Sequence, residues 1–293
     1  MKWKSLGRVF QTRHYAQTPT PWVMSDRVRV YFAERDDGNH SFIRFVDLDI
    51  NDPTRLLGEP SGRVLDNGAV GTFDHFGQMP SAVMGDEHHL NLYYSGWNAL
   101  ANGSYHNASG VAHSIDGGFS FRRAVDGPIL DRTPDEPYLA VTPSFCAGLT
   151  YYVSGLRWER ILGREEPIYT IHAAISQDGL NYKRLGEVIP QFHAHECFSR
   201  PWAMKIDDSW HLWYSHRSAY DYRDGANAYR LGYAQSQDGI NWLRHDAAID
   251  IPRSDWDATM QCYPAVFYAK GKLWMLYNGN TFGKEGFGLA VSE

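Results

Sequence analysis

The sequence is poor in cysteine, with 3 such residues among 293. An odd number of cysteines cannot all pair within one chain, so Cys146, Cys197 and Cys262 are not expected to form a disulfide framework. Positive charge is not in excess either, since 28 Lys and Arg against 34 Asp and Glu give a formal net charge of −6. That balance lacks the electrostatic footprint of a protein that binds nucleic acid or an anionic membrane.

Long hydrophobic runs are also missing. No segment approaches the ~18 consecutive apolar residues of a membrane-spanning helix. The stretch from Met1 to Gln17 is polar and basic, unlike a secretory signal peptide. Long helical patterns, a Gly-rich phosphate loop ahead of a helix and a local Ser-His-Asp signature are absent as well. We therefore expect a cytoplasmic protein with neither a membrane nor a nucleic acid as its partner.

The sequence is instead rich in aromatic residues, at 14 %, and it repeats one phrase. The phrase is Ser-x-Asp-Gly with an aromatic residue close behind, and it occurs at Ser114–Phe119, Ser176–Tyr182 and Ser236–Trp242. Its aspartates, Asp116, Asp178 and Asp238, lie 62 and 60 residues apart. Such a period is typical of a supersecondary unit that stacks on copies of itself, and Asp-Gly between two strand-like runs predicts a tight hairpin turn.

Two further features recur with the phrase. Runs that contain proline lie at Pro19–Trp22, Met79–Val83, Thr142–Phe145, Arg200–Ala203 and Tyr263–Val266. Aromatic strands follow them at Val28–Arg35, Leu92–Trp97, Tyr151–Gly155, Leu212–Arg217 and Trp274–Asn280. Five units of four short strands, roughly 59 residues each, fit the blades of a β-propeller.

The two chain ends complement each other. The last unit stops one strand short at Glu293, and Lys2–Val9 resembles the outer strand Asn181–Val188 of an earlier unit. The sequence therefore predicts an all-β fold: a single five-bladed β-propeller domain over residues 1–293, with the N-terminal strand completing the last blade and leaving no open edge.

One face of this propeller is expected to carry the chemistry. Because strands within a blade alternate in direction, the start of the inner strand, the end of the second and the start of the third share a face. The Asp-Gly turns lie on the opposite face, so their aspartates are predicted to be structural. Asp74, Glu196 and Asp257 each precede an inner strand of a different unit, and Glu136 has a similar place. A cup with a few convergent polar groups is the expected binding site.

Here the sequence resembles a known group of proteins. Five blade-like units, Asp-Gly hairpins and a carboxylate ahead of inner strands are similar to the five-bladed glycosidase superfamily, which includes glycoside hydrolase families 43, 32, 117 and 130. Glu196-Cys197 resembles the Glu-Cys step that carries the acid in family 32. The first unit, His14–Pro19, departs from families 43 and 32 because it has no carboxylate where they place one.

The resemblance implies a glycoside hydrolase acting on a small oligosaccharide or glycoconjugate. Such hydrolysis needs one carboxylic acid to protonate the leaving oxygen and a second carboxylate as base or nucleophile. Our prediction is Glu196 as the acid, with its pKa raised by an aromatic cup, Asp74 as base or nucleophile, and Asp257 as a third carboxylate. The predicted substrate-binding residues are Arg35, Trp97, Asn98, Arg157, Trp158, Arg200, His216, Arg217 and Asn280.

Several alternatives remain open from the sequence. A glycoside phosphorylase would use arginines to hold phosphate, and a sialidase is suggested by the Ser114 to Phe121 stretch, although five units are one too few. A non-catalytic glycan-binding or polysaccharide-biosynthesis protein would bind sugar in the same cup through the same Trp and Arg residues, and the missing carboxylate of the first unit favours it; Glu196 could then form a structural ion pair. His193, His195 and Cys197 alternate as metal ligands can, but no partner group is visible, so we predict no metal and no cofactor. The expected partner is a small-molecule carbohydrate, and the oligomeric state is left open.

Overall fold

The computed structural model describes residues 2–101, 103–223 and 225–293, and the secondary structure in this part of the chain is almost entirely β. The strands are β1 (Trp3–Phe10), β2 (Gln17–Val23), β3 (Arg27–Arg35), β4 (Ser41–Asp49), β5 (Gly77–Gly85), β6 (Leu90–Leu100), β7 (Gly103–Ser114), β8 (Arg122–Arg123), β9 (Ala140–Cys146), β10 (Leu149–Ile161), β11 (Arg164–Ile175), β12 (Lys183–Glu187), β13 (Glu196–Ile206), β14 (Ser209–Ser218), β15 (Arg230–Ser236), β16 (Leu243–Arg244), β17 (Cys262–Ala269), β18 (Lys272–Asn278) and β19 (Phe287–Ser292). Short helical turns are Asp246–Ala248, Asp255–Asp257 and Asn280–Gly283. The predicted all-β class is confirmed, and the described residues include no helix long and apolar enough to cross a membrane.

The strands pair mainly with their neighbours along the chain. β13 to β16 form one four-stranded antiparallel sheet, and β17, β18, β19 and β1 form another. β2 to β12 form a longer path in which two steps are single parallel pairs, Ser41 with Gly77 and Ala108 with Ala140. The other steps of that path are antiparallel, so these two thin junctions divide it into β2–β4, β5–β8 and β9–β12.

The N-terminal strand joins the last sheet, as predicted. Trp3 pairs with Ser292 and Lys4 with Val291, antiparallel to β19. Trp3 is buried and meets the Trp213 ring of β14 edge-on, with the ring centroids 6.4 Å apart. At its other end Phe10 packs against Phe32 of β3. β1 therefore contacts three sheets.

The proline runs become bulged strands. β2, β5, β9, β13 and β17 each show a register shift against the next strand. In four of the five, the residue before the proline has a left-handed backbone, with φ of 52° at Thr18, Thr142 and Arg200 and 56° at Tyr263. A bulge re-aims side chains, and a proline there forfeits no ladder hydrogen bond.

The Asp-Gly turns have the structural role that the sequence predicts. Asp238 Oδ1 accepts hydrogen bonds from the backbone N–H groups of Ile240 and Asn241 at 2.9 and 2.8 Å, and Gly239 has a φ of +77°. The Gly239 carbonyl oxygen in turn accepts a hydrogen bond of 2.7 Å from the hydroxyl of Tyr151, which belongs to the preceding group of strands. The phrase thus closes one sheet and anchors it to its neighbour.

Candidate functional site

The candidate site is a cavity of about 420 Å³ among the proline-bearing strands. Its wall combines starts of the proline-bearing strands, ends of the strands that follow them and starts of the third strands. The lining residues are Tyr15, Gln17, Thr18, Arg35, Asn39, Met79, Ser95, Trp97, Tyr105, Asn107, Leu139, Val141, Thr142, Val153, Tyr169, Ser199, Tyr229, Tyr263 and Phe282. The bulges bring Thr18, Thr142 and Tyr263 to this wall.

Arg35 and Trp97 of the predicted set lie in the cavity wall. Arg35 Nε donates to Gln17 Oε1 at 3.0 Å and Nη1 donates to Asn39 Oδ1 at 2.7 Å. Its guanidinium lies 4.9 Å from the Tyr15 ring centroid and 5.6 Å from that of Trp97. The indole N–H of Trp97 donates to a serine hydroxyl behind the wall at 2.7 Å. Both side chains are therefore held in place while part of each faces the cavity.

A tyrosine cluster forms another part of the wall. Arg217 donates from Nε and Nη2 to the Tyr169 hydroxyl at 3.2 and 2.8 Å, and the Tyr169 and Tyr229 hydroxyls share a hydrogen bond. The Arg217 guanidinium also lies 3.5 Å from the Tyr222 ring centroid. Burial raises the pKa of both Tyr169 and Tyr229 despite the Arg217 charge, so the two phenols are neutral hydrogen-bonding groups at pH 7. Arg217, a predicted substrate-binding residue, therefore lies behind the wall and supports it.

Asp74 is fully buried behind the cavity. It accepts hydrogen bonds from Arg123 Nε and Nη2 at 2.9 and 2.6 Å and from the Tyr94 hydroxyl at 2.9 Å. Arg123 belongs to the outer strand β8, so this ion pair ties the loop before β5 to the far edge of the same group of strands.

Glu196 is also buried and paired with an arginine of an outer strand, in the sheet β13–β16. Arg244 of β16 donates to both carboxylate oxygens at 2.8 and 2.7 Å, and the Phe192 N–H donates at 2.7 Å. Burial alone would raise the pKa of Glu196, but the hydrogen bonds from Arg244 and His216 lower it to about 2. The predicted raised pKa is therefore wrong, because an arginine rather than an apolar cup surrounds the carboxylate. The hydrogen-bond donors around Glu196 thus favour its ionised form, the opposite of what a general acid needs, and its role as the acid stays a prediction.

Asp257 is a helix-turn capping residue. Its Oδ1 accepts the Ser254 N–H at 2.6 Å, and its Oδ2 accepts from Gln261 Nε2 at 2.8 Å and from the Tyr277 hydroxyl at 3.2 Å. It is fully buried. Like the other two carboxylates, it does not line the cavity.

Asp74 and Glu196 thus share a repeated arrangement, a buried carboxylate paired with an arginine of the outer strand, whereas Asp257 bonds a serine, a glutamine and a tyrosine. Glu136 shows it again, with hydrogen bonds from Tyr152 at 2.9 Å and Ser154 at 2.8 Å and an ion pair with Arg184 of the outer strand β12. Burial would raise the pKa of Glu136, but His172, Ser154 and Arg184 lower it to about 2. None of these carboxylates lines the cavity, and each is hydrogen-bonded within its own group of strands and loops, so the expected cup of convergent carboxylates is corrected.

The predicted substrate-binding role of Asn98 and Asn280 also differs from what the structure shows. Asn98 accepts the Phe76 N–H at 3.0 Å and donates to the Thr72 carbonyl at 2.7 Å. Asn280 accepts the Thr259 N–H at 2.9 Å and donates to the Asp255 carbonyl at 2.7 Å. Each amide holds the loop ahead of the adjacent inner strand, so neither is a free substrate-binding group.

Three other predicted residues lie outside the cavity wall. Arg157 donates to the Ala194 carbonyl at 2.6 Å and pairs with Glu159. Trp158 meets Tyr105 edge-on, with the ring centroids 5.5 Å apart, so it supports a lining residue without lining the cavity. His216 lies 3.5 Å from Glu196 and belongs to that carboxylate's environment.

Arg200 is buried at the junction of the inner strands. Nη1 donates to the Pro80 carbonyl at 2.6 Å, and Nη2 donates to the Pro19 carbonyl at 3.2 Å and to Thr20 Oγ1 at 2.9 Å. It links β13 to β5 and β2, and the preceding residue, Ser199, lines the cavity. Burial without a carboxylate partner lowers the pKa of Arg200 to about 9. Its predicted direct contact with substrate is therefore corrected to a structural role.

The sequence interpretation missed most of the cavity wall. The missed residues belong to the third strands. β7 contributes Tyr105 and Asn107, β11 contributes Tyr169, and Tyr229 directly precedes β15. These positions share the predicted face, so the strand alternation was a usable signal. In the described part of the chain no group of three or more His, Cys, Asp or Glu side chains is placed to hold a metal ion, His193, His195 and Cys197 included.

Comparison with curated proteins finds two relatives. The uncharacterized protein Rv1502 of Mycobacterium tuberculosis (strain ATCC 25618 / H37Rv) is 32 % identical over 309 residues, which span 100 % of each chain. The uncharacterized protein MT1551 of M. tuberculosis (strain CDC 1551 / Oshkosh) is also 32 % identical over the same length and coverage. No family model matches the chain.

Several solved structures with a similar fold are described as glycoside hydrolases. One described as a glycoside hydrolase has a TM-score of 0.78 at 16 % identity, covering 99 % of this chain and 91 % of that one. A thermostable family-43 glycoside hydrolase has a TM-score of 0.70 at 15 % identity, covering 94 % and 88 %. An endo-arabinase from Bacteroides thetaiotaomicron VPI-5482 has a TM-score of 0.65 at 15 % identity, covering 97 % and 95 %. The chain therefore has the propeller glycosidase fold that its sequence resembles, and at these identities the likeness is one of fold alone.

Proposed function

The chain belongs to one family with the mycobacterial protein Rv1502, and we propose that it binds a carbohydrate in the central cavity. The observation that supports this proposal is the composition of the wall. Trp97 and several tyrosines offer flat apolar rings for a sugar face, and the amides of Asn39 and Asn107 suit sugar hydroxyls. The volume of about 420 Å³ falls within the ~300–1,000 Å³ of small-molecule sites.

We also infer that the strands form five blades closed into a ring around this cavity. A recurring contact supports the inference: Ser95 Oγ accepts the Thr142 N–H at 3.0 Å, and Ser215 Oγ accepts the Tyr263 N–H at 2.7 Å. In each, the end of a second strand holds the bulge of the next inner strand. Asn278 Oδ1 accepts the Thr18 N–H at 2.8 Å in the same manner, which joins the last sheet to the first over a single domain.

Hydrolysis of a glycosidic bond is the second candidate function, and the fold of the neighbouring structures favours it. No carboxylate lines the cavity among the described residues, whereas hydrolysis by this route needs two. Catalysis by Asp74, Glu196 and Asp257 would require substrate to reach their buried sites. A phosphorylase has less support, because Arg200 and Arg217 are engaged with protein oxygens. Carbohydrate binding without hydrolysis is therefore the function that the geometry supports best.

A sugar-binding screen with a turnover assay tests the proposal. We expect calorimetric titration with a panel of mono- and oligosaccharides to find a ligand whose affinity falls roughly tenfold in Trp97→Ala, because a stacked aromatic face is lost. Tyr268→Ala is the control, since that exposed tyrosine lies on β17 outside the cavity wall. Aryl glycosides and the bound sugars should show no release of product. Equal losses in the two variants, or no binding at all, would contradict the proposal, and turnover would favour the hydrolase.

A further inference from the structure

The cavity wall carries a positive charge that no nearby carboxylate balances. Arg35 is the one charged side chain among the described lining residues, and its hydrogen-bond partners are the neutral amides of Gln17 and Asn39. The adjacent Asp36 and Asp37 contact His40 and His14 at 3.2 Å, and no carboxylate in the described chain lies within ion-pair distance of Arg35. Nη2 of Arg35 has no partner among the described residues, so the guanidinium retains donors for a ligand.

Two more arginines lie directly behind the wall. Arg200 binds backbone carbonyls and a threonine hydroxyl, and it has no carboxylate partner in the described chain. Arg217 binds the phenol of the lining residue Tyr169. Glu166 is the nearby carboxylate on that side, and it pairs with another arginine, Arg223. Three arginines therefore lie in or directly behind the wall, whereas no carboxylate lines it among the described residues.

The positive charge of the arginines at the cavity contrasts with the negative net charge of the whole chain. The formal net charge of the chain is −6, so a cationic cavity is not a reflection of a basic surface. A partly buried guanidinium without a carboxylate keeps its desolvation cost, and an anionic ligand offsets that cost. Arginine also binds a carboxylate or a phosphate through two parallel hydrogen bonds, which fixes the orientation of the ligand.

We propose that the carbohydrate bound by this cavity is an acidic one, with an anionic group held by Arg35. The inference rests on the proposed carbohydrate binding and adds the chemical class of the ligand. A uronic acid and a phosphorylated sugar both supply the required oxyanion. Trp97 and Tyr15, on which the guanidinium lies, would then contact the sugar ring beside its charged group.

Matched pairs of sugars test this proposal. Calorimetric titration would compare glucose with glucuronate and glucose 6-phosphate, and galactose with galacturonate, at low and high salt. We expect one acidic member to bind roughly tenfold or more tightly than its neutral partner, with a preference that weakens as salt rises. The uronate and phosphate arms identify which oxyanion the site takes.

Variants assign the preference to Arg35. Arg35→Gln should abolish the difference between acidic and neutral partners, and Arg35→Lys should retain part of it because the charge remains. Arg122→Gln, at an exposed arginine on β8, is the control and should leave the preference unchanged. Neutral sugars that bind as tightly as acidic ones to the wild type would overturn this inference and leave carbohydrate binding intact. Failure of every sugar to bind would overturn both.

Discussion

At the scale of single residues, the buried carboxylates form a repeated set of ion pairs within the groups of strands. Three of them pair with an arginine of the outer strand in the same group: Asp74 with Arg123, Glu136 with Arg184 and Glu196 with Arg244. A buried ion pair persists only when further hydrogen bonds satisfy both partners, and tyrosine, serine or backbone donors supply them here. The repetition argues for a structural role, since a hydrolytic centre needs its carboxylates at one place.

The depressed pKa of Glu196 predicts how stability depends on pH. The folded pKa of about 2 lies below the ordinary glutamate value of 4.5, so the ionised carboxylate stabilises the fold above pH ~4.5, and this contribution is lost as pH falls toward ~2. Glu196→Gln should therefore lower the free energy of unfolding by about 2–3 kcal/mol at pH 7. The difference from wild type should shrink as the pH falls through that window, as measured by urea unfolding.

Glu59→Gln provides the control for this experiment, because Glu59 is exposed. It should change the stability little at any pH. A Glu196→Gln protein with wild-type stability that binds sugar but has lost a measurable hydrolytic activity would instead restore Glu196 as the catalytic acid.

At the scale of elements, the Asp-Gly turns combine two separate requirements at one glycine. Gly239 has a φ of +77°, and a Cβ built there would lie 2.8 Å from Leu149 Cδ1 and 2.9 Å from the Tyr151 hydroxyl. Gly148 has a φ of +85° with open space around it, and Gly127 has neither constraint. The three positions therefore separate backbone strain from the close approach of the neighbouring strands.

Alanine substitutions at these glycines should follow that order. We expect Gly239→Ala to lower the unfolding free energy by about 2–4 kcal/mol, Gly148→Ala by about 1–2 kcal/mol and Gly127→Ala by less than about 0.5 kcal/mol. Chemical denaturation of the three variants measures the ranking. Equal losses for Gly239→Ala and Gly148→Ala would show that the contact between neighbouring groups of strands adds nothing to the turn.

The strands and turns, and the grouping of their ends, could be predicted from the sequence because the signals for them are local. Asp-Gly turns, proline runs and aromatic strands each act over a few residues, and strand alternation then assigns their ends to a face. The roles of Asp74 and Glu196 could not be read in this way, because the arginines that neutralise them lie 49 and 48 residues further along the chain. That nearly constant spacing is itself a periodic signal, and it would have indicated ion pairs instead of a catalytic pair.

At the scale of the whole molecule, β1 is the element on which the proposed ring depends. It belongs to the sheet of β17–β19, and its two ends contact other sheets through Trp3 with Trp213 and Phe10 with Phe32. Without this strand, β19 would expose an unpaired edge, and large aromatic side chains on both sides would lose their neighbours. Removal of β1 should therefore weaken the fold as a whole and promote association between chains.

A complementation experiment tests closure directly. A chain without residues 1–10 should unfold at a lower urea concentration than the whole chain and should associate through the exposed edge of β19. A synthetic peptide of residues 1–10 should raise its midpoint as the peptide concentration increases, because a ligand that binds only the folded state stabilises it by mass action. A peptide with both Trp3→Ala and Phe10→Ala is the matched control and should have little effect. If the truncated chain keeps the wild-type midpoint, β1 is a peripheral strand and the ring is not closed through it.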